Sequence, residues 1–180
     1  MKTILCKMRG GERVCTSIDH REVVRAWCGS TIAMTLIALM HYFVVSDLLS
    51  APLLIGSFGA SAVLCFGATK SPLAQPRNLV GGHVVSAIVG VTVCQFIGAE
   101  SVLSVSLAVP LAIAAMLITG TLHPPGGATA LTAVTGGQAI YGLGYNYVFI
   151  PCFLGAVILL VIALVCNNMS KHCQYPLYWR

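Results

Sequence analysis

Leu122-His123-Pro124-Pro125-Gly126-Gly127-Ala128-Thr129-Ala130-Leu131 lies between two apolar runs in a chain with almost no interior charge. In water its prolines and glycines would make an ordinary surface loop. The rest of the chain argues against water. Of 180 residues 57% are hydrophobic and 8% charged, with a mean hydropathy of +0.88, whereas soluble domains carry about 25% charged residues. Between Ala26 and Met169 the only formal charges are Asp47, Lys70, Arg77 and Glu100. The segment at 122–131 is therefore read as the start of a helix inside a bilayer. There polar groups are costly, and those present mark a working site.

The composition predicts one membrane domain with short polar ends: a basic cytoplasmic segment over 1–26, the membrane domain over 27–166 and a cytoplasmic tail over 167–180. The chain opens on about 26 polar residues rather than a basic n-region followed by an apolar stretch. No cleaved signal is expected, and the first apolar run should stay as an anchor. The net charge of +5 does not call for nucleic acid, because the basic residues cluster beside apolar spans and read as topology signals. Eight cysteines (6, 15, 28, 65, 94, 152, 166, 173) show no zinc-type spacing. Those inside apolar runs read as small hydrophobes. No metal, cofactor or enzymatic chemistry is expected.

The chain holds six apolar runs, at 27–45, 52–69, 79–98, 103–122, 126–140 and 147–166. Four reach the length of a spanning helix. The second and fifth are short and glycine-interrupted; at 1.5 Å per residue the fifth covers only about 22 Å of roughly 30 Å of hydrocarbon. If all six cross with the N-terminus inside, all ten basic residues obey the positive-inside rule. If the two short runs dip in and return, Lys70 and Arg77 move outside. The sequence favours six crossings. Gly59-Ala60-Ser61-Ala62 also resembles Gly127-Ala128-Thr129-Ala130, 68 positions later. Two three-helix units repeating in this way must be inverted. Short broken segments at matching places in two halves point to a transporter's binding site.

At the fifth run, proline suits the first helical position. Gly126 and Gly127 would leave the next amides uncovered, at a helix end carrying about half a positive charge. His123 adds a group that donates or gains a proton near neutrality. A small anion fits that ensemble; a plain helix–helix turn is the alternative. In the first half, Ser57 and Ser61 share a face with Gly59 nearby, either as hydroxyl donors or as a small-residue packing surface. The interrupted starts of the two short runs are expected to converge at the midplane. Arg77 and Asn78 end a stiff Pro72–Pro76 loop, where Arg77 offers a planar fork for an oxyanion or simply sets topology. His83 is polar at membrane depth; His41 and Asp47 read as interfacial. No carboxylate lies inside an apolar run, which argues for an anionic or neutral solute. No nucleophile–base set, phosphate loop or dinucleotide fingerprint is present.

Three stretches, 52–64, 71–83 and 122–131, in that order, resemble the HPP family of integral membrane proteins, which is named for the motif at His123-Pro124-Pro125. The resemblance covers roughly residues 27–166. It implies a small membrane permease; similar proteins of chloroplasts and cyanobacteria are linked to nitrite transport. That family is usually described as four-spanning, so the six-run reading departs from it unless runs two and five are broken segments.

The combined expectation is an all-α polytopic bundle of about six membrane segments, a 3+3 inverted repeat with two short broken helices. It would sit in the inner (plasma) membrane with both termini cytoplasmic, as a possible homodimer. Its function would be passage of a small inorganic anion, nitrite first. The proposed site is His123, Pro124, Pro125, Gly126, Gly127, Ala128, Thr129, Ser57, Gly59, Ser61, Arg77, Asn78 and His83. A membrane sensor or scaffold that docks a cytoplasmic partner through 1–26 is the alternative. Soft-metal handling through Cys65, Cys94 and Cys152 is a third.

Overall fold

The computed structural model describes residues 19–42, 55–171 and 173–179; the expectations for 1–18, Asp47 and 52–54 lie outside these. Among the described residues all regular structure is helical. α1 (His20–Met40) begins at Asp19, whose carboxylate accepts from the Arg21 N–H at 2.9 Å and satisfies an amide that the helix itself leaves unpaired. α2 (Gly56–Ala62) continues into a π-helical turn, Val63–Gly67. A 3-10 turn, Pro72–Ala74, leads into α3 (Pro76–Ile97), which opens on a proline and ends at Gly98. α4 (Val102–Thr119) starts with a reciprocal Ser101–Ser104 cap and stops at Gly120, whose φ of 65° is left-handed and suits glycine. α5 (Pro124–Thr135) begins at the expected residue, after an extended His123 (φ −142°, ψ 107°). α6 (Gln138–Tyr141), a π-helical turn (Val148–Phe153) and α7 (Leu154–Asn168) complete the bundle.

Four helical stretches are long and apolar enough to span a bilayer: His20–Met40, Pro76–Ile97, Val102–Thr119 and Val148–Asn168. The two glycine-interrupted runs give short helices as predicted, α2 with its turn and α5, and α6 is a four-residue turn. At 12 residues, α5 is about 18 Å long. Four long helices and two short ones reconcile a four-spanning description with six apolar runs.

Side-chain ties fix the direction of each helix. Arg25, near the start of α1, donates to the Phe66 carbonyl in the π-helical turn that follows α2 and to Asn167 at the end of α7. Asn167 in turn donates to the Cys65 carbonyl at 2.9 Å. α2 therefore brings the chain back to the end where α1 began. At the start of α3, Arg77 donates to the Thr119 carbonyl at 2.7 Å and Asn78 to the Leu122 carbonyl at 2.8 Å. α5 then runs parallel to α3, with Gly82 against His123 and Gly90 against Ala130. It finishes near the far end, where the Glu100 N–H donates to the Val134 carbonyl at 2.9 Å. The long–short–long order thus recurs. Arg21, Arg25, Lys70, Arg77 and Lys171, the basic side chains among the described residues, share one end, as the six-pass layout requires.

The packing is that of a protein in lipid. Large apolar side chains such as Trp27, Phe96, Val102, Leu117 and Ile118 face outward, while the interior is rich in Ala33, Ala87, Ala108, Ala112, Ala130 and Ala163. Small residues let helices approach closely where burial of apolar surface no longer drives association. Two glycines mark the tightest of these approaches. A Cβ on Gly82 would stand 2.4 Å from the Cβ of His123, and one on Gly155 would stand 2.1 Å from the Phe58 ring.

Candidate functional site

The two short helices meet side by side. Ser57 pairs with Thr129, and Ser61 pairs with His123. Numbers rise along α2 as they fall along α5, so the helices are antiparallel, as inversion of two halves demands. Their first turns, at Gly56 and Pro124, are 68 positions apart. One expectation needs correcting: the two tips overlap laterally and do not point at each other. A second correction concerns the amides. Pro124 and Pro125 have no N–H, and the Gly126 N–H donates to the His123 carbonyl at 2.8 Å. Gly126 is therefore not the bare donor that the glycines suggested.

What occupies this position is a chain of side chains. The Nδ1 of His123 is 2.8 Å from the Leu73 carbonyl, and its Nε2 is 2.8 Å from Ser61 Oγ. Ser61 Oγ is also 2.8 Å from His83 Nε2. The other nitrogen of His83 is 2.7 Å from Thr129 Oγ1, and Thr129 donates toward Ser57 Oγ at 3.0 Å and the Pro125 carbonyl at 3.3 Å. Ser57, Ser61, His83, His123 and Thr129 are all essentially inaccessible to solvent. His83 bridges Ser61 and Thr129, which occupy equivalent places in the two halves. The Phe58 ring lies against His83 at a centroid distance of 5.2 Å, and the two imidazoles meet edge to face at 5.1 Å.

The remaining sequence-predicted residues fall into three groups. Pro125 and Gly126 are buried beside the chain; Gly126 packs where a Cβ would lie 2.6 Å from Ser86 Oγ and 2.9 Å from the Gly82 carbonyl. Gly59, Pro124 and Ala128 are exposed on the outer faces of α2 and α5, and Gly127 is half-buried. Arg77 and Asn78 stay at the basic end, fastening α3 to the turn that delivers His123. The three thiols of the metal reading are dispersed. Cys65, beside Tyr175, and Cys152 lie in the main core, whereas Cys94 packs on a second core cluster. No group of three His, Cys, Asp or Glu side chains comes together among the described residues.

Sequence reading missed several contributors. The carbonyl of Leu73, Phe58, the buried hydroxyl of Ser86 and Tyr147, which donates to the Thr129 carbonyl at 3.0 Å, carry no motif of their own. The C-terminal tail was also missed. Tyr175 is buried and donates to the Ala74 carbonyl at 2.6 Å, while the Leu177 N–H donates to Gln75 Oε1 at 2.9 Å. The tail thereby braces the loop whose Leu73 carbonyl holds His123. Only the glycines, Gly82 in Gly81-Gly82-His83 and Gly126, could have signalled a close approach at this point.

A model of the HPP family transmembrane region matches residues 16–176. The chain belongs to the HPP family. Two transmembrane proteins of Dictyostelium discoideum are similar to it. One is 43% identical over 96% of this chain and 56% of its own length; the other is 44% identical over 89% of this chain and 57% of its own. The chain thus spans a little over half of these relatives. No solved structure matches. The motif that gives the HPP family its name, at His123-Pro124-Pro125, supplies one imidazole of the buried chain and two prolines that start α5 without leaving unpaired amides.

Proposed function

We propose that this HPP family protein is a permease for a small inorganic anion, with nitrite the leading candidate, and that the anion passes along the polar seam between α2 and α5. The observation that carries the reading is the chain Ser57–Thr129–His83–Ser61–His123, buried between two antiparallel half-length helices of a membrane domain. Burying so many polar groups in lipid is costly unless they serve one another or a solute. Hydroxyl and imidazole N–H groups are donors suited to an oxyanion, and no carboxylate is among their partners to repel one. Recognition then comes from these side chains and not from bare amides. In this reading the basic end faces the cytoplasm by the positive-inside rule, in the inner membrane, and Arg77 raises the local anion concentration at that mouth.

The test is counterflow in proteoliposomes with labelled nitrite, and with nitrate, formate and chloride as competitors. The wild type should exchange nitrite above protein-free vesicles, and His123→Ala should slow that exchange while inserting normally. Equal exchange by wild type and variant, or none by either, would reject the assignment.

A further inference from the structure

The hydrogens of the buried chain can be counted. A carbonyl only accepts, so the contact with Leu73 requires a hydrogen on Nδ1 of His123. A neutral His123 then has a bare Nε2, which must take the single hydroxyl hydrogen of Ser61. The Ser61 oxygen is left to accept from Nε2–H of His83. A neutral His83 next has a bare Nδ1, and only the Thr129 hydroxyl can donate to it. One neutral arrangement therefore exists, with every hydrogen running toward Leu73. Thr129 Oγ1, however, is also aimed as a donor at Ser57 Oγ (3.0 Å) and the Pro125 carbonyl (3.3 Å). When its hydrogen turns to either, His83 must donate from Nδ1 as well, and the pair of imidazoles then holds one proton more than in the neutral state.

That extra proton has two homes. With the charge on His83, Nε2–H can pass its hydrogen to Ser61 Oγ while Ser61 passes its own to Nε2 of His123. One N–H and one O–H bond break, one O–H and one N–H form, and the positive charge moves from His83 to His123. Both transfers run over 2.8 Å. The surroundings supply no countercharge. α2 presents Ser57, Phe58 and Ser61, the loop presents the Leu73 carbonyl, and α5 presents Thr129 and the Pro125 carbonyl. Tyr147 binds the Thr129 backbone, Gly155 of α7 lies beneath Phe58, and Met116 of α4 lies beside Gly126. No acid, lysine or arginine is among these contacts. A lone buried charge is expensive, so the proton is held well only when an anion enters with it.

We propose that His83, Ser61 and His123 form one proton-binding unit whose charge pairs with the transported anion, so that the permease moves the two together. The pairing with an anion rests on the permease reading; the proton-binding unit does not. By linkage, anion affinity rises as pH falls, by up to about tenfold per pH unit where one proton is taken up.

Two measurements on the full chain decide it. The first is imidazole 15N NMR of the histidine-labelled protein in nanodiscs, with signals assigned through His83→Gln and His123→Gln, titrated from pH 8 to 5 with and without sodium nitrite. The second is lumenal pH, read by a trapped dye during nitrite entry, against protein-free vesicles of the same lipid. The expected result is that both rings respond to one shared proton, taken up at higher pH when nitrite is present, with protein-dependent acidification of the lumen. Ser61→Ala should abolish the sharing and the acidification. Nitrite entry without acidification, or rings that stay neutral throughout, overturns the coupling and leaves the permease reading standing. A shared proton with no protein-dependent anion entry keeps the proton unit and removes the permease. Neither signal removes both.

Discussion

Ser61 Oγ stands 2.8 Å from an imidazole nitrogen on either side, and only part of the reason is legible in the residues themselves. His123 and His83 are recognisable as polar residues at membrane depth, and Ser57, Ser61 and Thr129 as hydroxyls near glycine. Their pairing depends on two backbones coming within side-chain-free distance, which is legible only from Gly82 and Gly126. The amide cradle loses its Gly126 donor at this scale, because the His123 carbonyl takes it. Gly126→Ala should cost about 1–3 kcal/mol by overpacking, seen as a lower thermal midpoint in detergent, since its Cβ would meet Ser86 Oγ and the Gly82 carbonyl. Ser86→Ala should instead change stability by less than about 1 kcal/mol, or raise it. Its buried hydroxyl has no hydrogen-bond partner among the described residues, so truncation removes an unrewarded desolvation.

Among the elements, the long helices were readable from run length, and the short pair from glycine interruptions and from the 68-residue match that places Gly56 against Pro124. The overlap of the short pair was not readable, because nothing in either helix alone sets how far it slides past the other. Contacts from outside the pair set it. Gly155 of α7 admits the Phe58 ring, which in turn lies on His83. Gly155→Ala should therefore displace the ring toward His83 and lower anion uptake together with stability, whereas Phe58→Leu should keep the fold and perturb chiefly the His83 15N signals. Arg25 gathers the start of α1, the turn after α2 and the end of α7 through Phe66 and Asn167. Arg25→Ala leaves a carbonyl and an amide without that partner and should cost about 1–3 kcal/mol; unfolding followed by tryptophan fluorescence in detergent would measure it.

For the molecule as a whole, charge placement predicted the layout best. The short helices had to cross for Lys70 and Arg77 to join the other basic residues, and the ties from Arg25, Arg77 and Asn78 put them there. In a cysteine-depleted background, single cysteines at Lys70 and Lys171 should react with an impermeant maleimide from the same side of the membrane, and one at Glu100 from the opposite side. Labelling of positions 70 and 171 from opposite sides would break the six-pass arrangement. The central claim is that the buried seam is the path of the anion. It is tested most directly by nitrite counterflow in His83→Gln vesicles, compared with wild type and with Ile88→Ala, an exposed substitution farther along the same helix. Loss of a buried partner worth about 1–3 kcal/mol should slow exchange roughly 5- to 150-fold in His83→Gln, with Ile88→Ala unchanged. Equal rates for all three, at equal protein content, would contradict it.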